Sequence, residues 1–202
     1  MRCKDFLLVN PLNYQVRFPR AMFSKFMDGS KEMLMTDLET FRVEKDAFFA
    51  KHPQSPLTRQ QKYAFQGLAY FPEAPGLRFE VEVERFHDQQ EIQIQTSTGN
   101  LQTYRRYGKF RFRVDGQEAE LTIYANHHGF FLPFVDSLAG QQTYPARRYL
   151  EPQPLANGKL LIDFNLAYNP YCAYNESWSC PLTPFENRLK VPIRAGERIF
   201  HE

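Results

Sequence analysis

Four carboxylic acids of the C-terminal half stand in apolar surroundings, where a charge is costly. Asp136 follows Phe-Phe-Leu-Pro-Phe-Val, Asp163 ends Leu-Leu-Ile-Asp, Glu186 follows Thr-Pro-Phe, and Glu197 follows Ala-Gly. A buried carboxylate is either paired with donors, or its pKa rises until it can act as an acid or base. The possible partners are Arg147, Arg148, Arg188 and Arg194. The pattern therefore allows two interpretations, ion pairs that pin irregular loops or a ligand pocket.

Two cysteines lie in the stretch from Asp163 to Asn187, which has neither a helical nor a strand period. Cys172 and Cys180 close a nine-residue segment. A disulfide there would require an oxidising compartment, because a reducing cytoplasm keeps thiols free. A nucleophilic cysteine needs a nearby histidine or helix N-terminus to lower its pKa, and neither is adjacent in sequence. The sequence favours buried structural thiols, with a redox clasp and a reactive thiol as alternatives.

Spacings typical of metal and nucleotide sites are missing from the sequence. His127 and His128 are neighbours, so on an extended chain they point to opposite faces, and no His-x-His or His-x-x-x-His occurs. We therefore predict no metal site. Gly-rich phosphate loops, Gly-x-Ser-x-Gly and kinase motifs are also missing, so the sequence carries no motif of the commonest hydrolases and nucleotide enzymes. The sequence specifies no cofactor.

Charge and hydropathy indicate neither nucleic acid nor membrane as a partner. The net charge is only +2. The basic residues between Tyr104 and Val114 are opposed by glutamates on the neighbouring predicted strands, so we expect cross-strand ion pairs rather than a nucleic-acid surface. The longest uncharged apolar run, 129–135, is far below the ~20 residues of a membrane span. No signal-peptide core is recognisable near the first residue, which makes the cytoplasm the expected location.

The elements that must position these residues are one helix and several strands. Thr36 and Glu39 have the spacing of a capping box, and Pro53 stops the helix. Its predicted apolar face is formed by Leu38, Phe41 and Phe48. From residue 78 onward the period becomes two, and Asp115-Gly116 is a strong hairpin turn. Strands are predicted over 78–86, 91–96, 104–114, 118–126, 129–136, 148–150, 159–165 and 188–193.

These elements predict a mainly β fold. We expect an antiparallel barrel-like sheet, or a strongly bent sheet or sandwich, with one amphipathic N-terminal helix and a long irregular C-terminal segment. Residues 1–31 are interpreted as an appended arm, and 36–202 as a single β-rich domain.

Several stretches resemble one protein family. EKDAFF, HPQSPL, FQGLAYFP, LPFVD, YPARRYL, DFNLAYNPYCAY, CPLTPFENRL and IRAGE occur in the order typical of the family called domain of unknown function 1684, found in bacteria and archaea. The resemblance covers residues 36–200 and implies relatives without implying a reaction. Arg147 stands where relatives tend to have Gly, and Phe41 where they tend to have Trp. The polar members of the signature are Asp136, Tyr144, Arg148, Tyr149, Asp163, Asn165, Tyr168, Asn169, Cys172, Cys180, Glu186, Asn187 and Glu197.

We hypothesise that these polar residues form one pocket for a small polar molecule. In this hypothesis the 163–187 segment folds over an open end of the sheet, Arg148 meets an anionic group, and Glu186 or Asp163 acts as acid or base if a reaction occurs. A small-molecule enzyme and a structural or interaction protein without a pocket are the two alternatives. The sequence does not specify the oligomeric state.

Overall fold

The computed structural model describes residues 35–200, so the predicted N-terminal arm over 1–31 lies outside the described residues. The fold is mainly β, as predicted, and its named strands pair only in antiparallel fashion. They are β1 Arg78–Val81, β2 Glu84–Arg85, β3 Glu91–Gln95, β4 Leu101–Val114, β5 Gln117–Asn126, β6 Gly129–Phe134, β7 Arg148–Leu150, β8 Gln153–Pro154 and β9 Leu160–Asp163.

Two α-helices precede the strands. Helix α1, Asp37–Lys51, has the predicted capping box, in which Thr36 Oγ1 accepts from the backbone N–H of Glu39 and the Glu39 carboxylate accepts from the backbone N–H of Thr36. It ends at His52, just before Pro53. Helix α2, Arg59–Ala64, repeats this capping arrangement with Thr58 and Gln61. Neither is long and apolar enough to cross a membrane, and the same holds for every other helix in the described chain.

The larger sheet has six strands in the order β2-β4-β5-β6-β7, with β3 also paired to β4. Asp115 and Gly116, both at positive φ, form the predicted hairpin turn between β4 and β5. Arg111 faces Glu120 and Arg113 faces Glu118 across this hairpin, and Arg111 Nε bonds Glu120 at 2.9 Å. The cross-strand charge pairing predicted from the sequence is therefore confirmed on this pair of strands.

A bulge at Tyr107 changes which face of β4 is buried in the main core. Arg106 pairs with Tyr124, but Gly108 already pairs with Ile123, so β4 has one extra residue at this point. Tyr104 consequently packs in a cluster with Tyr124, whereas Phe110 enters the main core. The bulge also turns the Arg106 side chain toward Glu186 on the C-terminal segment.

The smaller sheet has the order β1-β9-β8. Its first strand ends at Val81, and after two residues the chain joins the other sheet as β2. A Cβ added at Gly108 would lie 2.6 Å from the carbonyl oxygen of Glu84, so β2 crosses close to β4. The predicted strand over 78–86 is thus divided between two sheets.

The main core is shared by both sheets and the C-terminal segment. The larger sheet supplies Phe110, Leu121 and Phe134, and the smaller sheet supplies Leu160 and Ile162. Alternate residues of the β4–β5 hairpin face inward and are buried, as expected from the predicted period of two. They are Phe110, Phe112, Val114, Ala119, Leu121 and Ile123.

Three parts of the predicted architecture differ from the structure. The strand pairings of the described residues do not close into a barrel, so the barrel-like form of the prediction is not supported. The 188–193 stretch forms no named strand. It makes one isolated parallel bridge, between Val135 and Arg188, and the carbonyl of Ile193 accepts from the Arg148 guanidinium at 2.7 Å. The predicted apolar face of α1, formed by Leu38, Phe41 and Phe48, is only half-buried, and the buried residue of the helix is Phe49, which was not part of that face.

Candidate functional site

Helix α1 presents charged residues on the same side as its buried phenylalanine. Arg42, Lys45, Asp46 and Phe49 are spaced as one helical stripe, i, i+3, i+4 and i+7. Phe49 is buried against Tyr174, with ring centroids 4.9 Å apart. The three charged residues above it are all half-buried, so this polar stripe lies against the domain rather than in solvent.

Glu197 is the buried acid that this stripe meets. Its side chain is 2 % exposed, and its Oε1 lies 2.5 Å from Lys45 Nζ. Its Oε2 accepts from the backbone N–H of Asn169 and from the Tyr174 hydroxyl, each at 2.7 Å. Burial and the nearby Glu197 carboxylate raise the pKa of Tyr174 well above its usual value, so this hydroxyl stays a donor.

The backbone around Glu197 is held by a close approach of chain segments. Gly196 has φ +73°, and a Cβ added there would lie 2.4 Å from the carbonyl oxygen of Ala167. Only glycine fits such a position without displacing its neighbours. The backbone N–H of Glu197 then bonds Ala167, and that of Arg198 bonds Ala69, each at 2.8 Å. Glu197 is therefore fixed between the segments around residues 69 and 167.

Tyr70 and Arg42 complete this region with unpaired donors. The Arg42 guanidinium carbon lies 4.6 Å from the centroid of the Tyr70 ring. Arg42 Nε, Arg42 Nη2 and the Tyr70 hydroxyl are buried atoms without a hydrogen-bond partner among the described residues. Burial and the Glu197 and Asp46 carboxylates raise the pKa of Tyr70, so its hydroxyl also keeps its proton.

Asp46 is the second acid of this region. One of its carboxylate oxygens accepts from the backbone N–H of Leu68 at 3.0 Å. Burial raises the pKa of Asp46, and the nearby Glu197 raises it further, while the Leu68 bond and Lys45 lower it. We define the Glu197 site as Arg42, Lys45, Asp46, Tyr70, Asn169, Tyr174 and Glu197.

Arg148 and Asp136 form a second buried network. Arg148 Nη2 lies 2.7 Å from Asp136 Oδ2, and both side chains are 1 % exposed. The same guanidinium donates to three backbone carbonyls, those of Ile193, Ala195 and Glu197. Asp136 Oδ1 accepts from the backbone N–H of Leu138 at 2.8 Å. The carbonyl contacts of Arg148 therefore tie the C-terminal segment to the larger sheet, and Asp136 balances its charge.

Asp163 and Asn165 make local bonds at the end of β9. Asp163 Oδ1 accepts from both the backbone and the side-chain nitrogen of Asn165, at 3.0 and 2.9 Å. Asn165 in turn pairs with both backbone polar groups of Ala74. Asp163 Oδ2 lies 3.8 Å from Arg78 Nε. These bonds close the loop before β1 onto the 3₁₀ turn after β9.

Glu186 is exposed but firmly held. Arg106 binds its carboxylate in a bidentate manner, with Nε–Oε1 3.2 Å and Nη2–Oε2 2.7 Å. The hydroxyl of Tyr124 donates to Glu186 Oε1. Burial and this hydrogen bond raise the pKa of Tyr124.

Asn187 acts as a substitute for a missing piece of β-ladder. It is fully buried, its Oδ1 accepts from the N–H of Thr122, and its Nδ2 donates to the carbonyls of Thr122 and Pro133, each at 2.8 Å. Extending the β5–β6 register would pair Thr122 with Pro133, which has no N–H to donate. The Asn187 carboxamide therefore forms the hydrogen bonds that the backbone groups of Thr122 and Pro133 would otherwise lack.

The two cysteines of this segment lie together. Both are buried, reduced thiols, and the backbone N–H of Cys172 donates to Cys180 Sγ at 3.4 Å. The Cys172 thiol is hydrogen-bonded to Cys180, and this bond, followed by burial, raises its pKa. Arg147 and Tyr144 lie beside Cys172; burial and the nearby sulfur raise the pKa of Tyr144. Cys172 and Cys180 pack against Trp178.

Comparison with known proteins supports the resemblance seen in the sequence. A family model described as "Protein of unknown function (DUF1684)" matches residues 63–198. The chain belongs to this family. A solution NMR structure of an uncharacterized protein from Haloarcula marismortui is 37% identical, with a TM-score of 0.62, and the match covers 80% of this chain and 91% of that chain. No curated protein matches.

The DUF1684 match starts after helix α1. Tyr70, Asn169, Tyr174 and Glu197 lie inside it, whereas the α1 stripe lies outside. The Glu197 site therefore combines residues of the family-matched region with a helix that precedes it. The match is also shorter than the 36–200 range over which the sequence resembles the family.

The structure brings only some of the predicted site residues together. Asn169 and Glu197 share the Glu197 site, and the ring of Tyr168 lies 4.9 Å from Lys45 Nζ. Asp136, Asp163 and Glu186 belong to three networks whose described partners do not overlap, so the single pocket that joins them stays a prediction. Tyr149 donates from its hydroxyl to the carbonyl of Pro181. The remaining predicted residues are in the networks described above: Tyr144, Arg148, Asn165, Cys172, Cys180 and Asn187.

Sequence reasoning missed five residues of the Glu197 site. Tyr70 and Tyr174 were not singled out. Arg42, Lys45 and Asp46 stand in a helix for which only an apolar face was predicted. Their spacing relative to Phe49 is the signal that could have placed them on the inner face.

Proposed function

We propose that this protein binds a small molecule that carries a carboxylate or a similar oxyanion, and that the Glu197 site holds it. The observation that carries the proposal is the unpaired edge of Arg42, where Nε and Nη2 are both buried without a partner among the described residues. These two nitrogens point to the same side of a guanidinium and match the two oxygens of a carboxylate.

Arg106 supplies an internal comparison for this edge. It uses the same two nitrogens, Nε and Nη2, to hold the carboxylate of Glu186. Arg42 presents the same pair of donors, but no Asp or Glu of the described residues forms an ion pair with it. An unpaired buried donor costs about 1–3 kcal/mol, and more when it is charged. A bound oxyanion would remove this cost.

The unpaired donors around Arg42 favour a ligand of this class. Lys45 is already engaged by Glu197, and Asp46 accepts from the backbone N–H of Leu68, so neither of them occupies the Arg42 edge. The Tyr70 hydroxyl, held in its protonated form, adds a further unpaired donor beside the guanidinium. Within the described chain, the Glu197 site thus has three buried donor atoms without a hydrogen-bond partner, against one acceptor, Asn169 Oδ1, that has neither a hydrogen bond nor an ion pair.

An acid or base role for Glu186 or Asp163 has weaker support. Glu186 is taken by Arg106 and Tyr124, and Asp163 by Asn165 and Arg78. We therefore place ligand binding ahead of catalysis in this proposal.

The test is a binding screen with matched probes and variants. Acetate, succinate, citrate and inorganic phosphate are compared with acetamide by thermal shift and calorimetry. We expect the carboxylates to stabilise the wild-type protein, because a ligand that binds only the folded state shifts the unfolding equilibrium toward that state. Acetamide carries no negative charge and should have no effect. Arg42→Gln should weaken binding about tenfold to a hundredfold, which is the loss expected for a charge-assisted bidentate bond.

The control is Arg59→Gln, which removes an exposed arginine from the neighbouring helix. It changes the net charge by the same amount, so it should leave affinity unchanged if Arg42 acts as a specific contact. Equal weakening in both variants, or equal stabilisation by acetate and acetamide, would rule out the proposed site.

A further inference from the structure

A second site is indicated by a buried arginine that lacks a counter-charge. The side chain of Arg147 is buried, and its Nη1 donates to the carbonyls of Cys180 and Pro181 at 3.3 and 3.0 Å. Its Nε is buried without a partner among the described residues, and none of their carboxylates forms an ion pair with it. Its sequence neighbour Arg148, in contrast, is neutralised by Asp136.

An unbalanced guanidinium in a buried position is expensive. Backbone carbonyls are dipoles and supply only part of what a full negative charge would. The acidic groups beside Arg147 are the Cys172 thiol and the Tyr144 phenol, and Cys180 adjoins both Arg147 and Cys172. A thiophilic cation displaces thiol protons but not a phenol proton, so with such a cation bound the negative charge lies on sulfur.

The two sulfurs are positioned to share one partner. The Cys172 thiol is hydrogen-bonded to Cys180, and the backbone N–H of Cys172 points at Cys180 Sγ. Cys180 is further fixed through its backbone N–H, which donates to the hydroxyl of Ser97 at 3.1 Å. Trp178 packs on both cysteines and keeps the pair apolar on one side.

We propose that Cys172 and Cys180 form a two-coordinate site for a monovalent, thiophilic cation of the Cu⁺ or Ag⁺ class, with Arg147 as its counter-charge. Two S–H bonds break, two protons leave to solvent, and two sulfur–metal bonds form. The product has a charge of −1, which Arg147 balances. Soft thiolate ligands select this class of metal.

The charge and the number of ligands separate this cation from zinc. A zinc site is almost always completed to four ligands, but no group of three or more His, Cys, Asp or Glu side chains in the described part of the chain can hold a metal. Zinc bound by the two thiolates alone would be neutral and would leave Arg147 unbalanced. A disulfide between Cys172 and Cys180 would also be neutral, so it has the same defect.

The experiment is a titration of the full chain with Ag⁺, a redox-inert probe of this class. Cys3, which lies outside the described residues, is first changed by Cys3→Ser so that only the pair remains. Native mass spectrometry and the ultraviolet sulfur-to-metal absorption should report one Ag⁺ per chain. Cys172→Ser and Cys180→Ser should each lower the affinity by at least about a hundredfold, because one remaining thiolate cannot complete a two-coordinate site.

Two comparisons make the result specific to Arg147 and to the metal's charge. Arg147→Lys keeps the positive charge and should retain the affinity within a few-fold, whereas Arg147→Gln should lower it about tenfold or more. Zn²⁺ should fail to compete with Ag⁺ on the unmodified Arg147 protein, a comparison that needs no substitution and holds even if Arg147→Gln does not fold. Equal affinity of the Lys and Gln variants, effective competition by Zn²⁺, or retained binding in Cys172→Ser would overturn the proposal. Formation of the disulfide with peroxide in a chain that does not bind Ag⁺ would do the same.

Discussion

At the scale of single residues, most polar members of the C-terminal segment are bonded to the backbone. Asn187 is the clearest case, because its carboxamide makes three bonds where Pro133 interrupts the β5–β6 ladder. Arg148 makes three carbonyl contacts in addition to its ion pair with Asp136. The polar signature residues thus hold together a segment with little regular secondary structure, and only part of them face the Glu197 site.

The first prediction concerns Asn187. Replacement by Ala should destabilise the protein by about 2–4 kcal/mol, because it leaves one buried N–H and two buried carbonyls without partners. Replacement by Asp should cost at least as much, since a carboxylate would face the carbonyls of Thr122 and Pro133. Urea unfolding at neutral pH measures both.

Asn157 provides the matched control for Asn187. It is exposed and makes only a local bond to the N–H of Lys159. Asn157→Ala should change the unfolding free energy by less than about 0.5 kcal/mol. A similar loss for both asparagines would show that the Asn187 bonds contribute little.

At the scale of elements, the parts that follow local rules were predictable. The capping box of Thr36 and Glu39 and the Asp115-Gly116 turn are local signals, and the alternation around Phe112 identifies the buried face of β4. The division of 78–86 between two sheets depends on the distant strand β9. The stretch 188–193 bonds to the distant residues Val135 and Arg148 without forming a strand, so neither feature was visible locally.

The Glu197 site was predictable in part for the same reason. Glu197 stood out as an acid in an apolar stretch of sequence, and Asn169 as a polar residue of the family signature. The inward charges of α1 were missed because a charged helix face usually lies in solvent, whereas here it packs against the segment around Tyr70 and Glu197.

The second prediction concerns the charge that α1 buries. The pKa of Asp46 is raised above its ordinary value of 3.8, so its charged form is disfavoured by folding. The contribution of Asp46 to the free energy of unfolding is therefore most favourable below the ordinary pKa, and it is lost as pH rises through the raised pKa. Asp46→Asn should therefore be slightly more stable than wild type at neutral pH, by less than about 1 kcal/mol. This advantage should vanish below pH 3.8.

Asp37→Asn is the control on the same helix. Asp37 lies exposed in the first turn, where its negative charge interacts favourably with the helix dipole. Asp37→Asn should therefore destabilise the protein slightly, an effect opposite in sign to that of Asp46→Asn. Thermal unfolding across the acid range measures both variants. A loss of stability in Asp46→Asn at neutral pH would mean that its charge is needed by Lys45 more than burial opposes it.

At the scale of the whole molecule, the C-terminal segment joins parts that are distant in sequence. Gly196 passes between the backbones around Phe71 and Ala167, and Glu197 then reaches Lys45 on α1. The Glu197 site is thus built at the place where the helix, the strands and the final segment meet. Sites at such junctions are common positions for small-molecule binding.

The most direct test of this account observes the Arg42 side chain itself. Nuclear magnetic resonance of the arginine Nε–Hε groups is recorded while acetate or succinate is added at constant ionic strength. We predict a saturable shift of the Arg42 signal, while the signal of Arg106, already bonded to Glu186, stays in place. An Arg42 signal that does not move, or that moves only as much as that of exposed Arg59, would contradict the proposed binding of an oxyanion at this site.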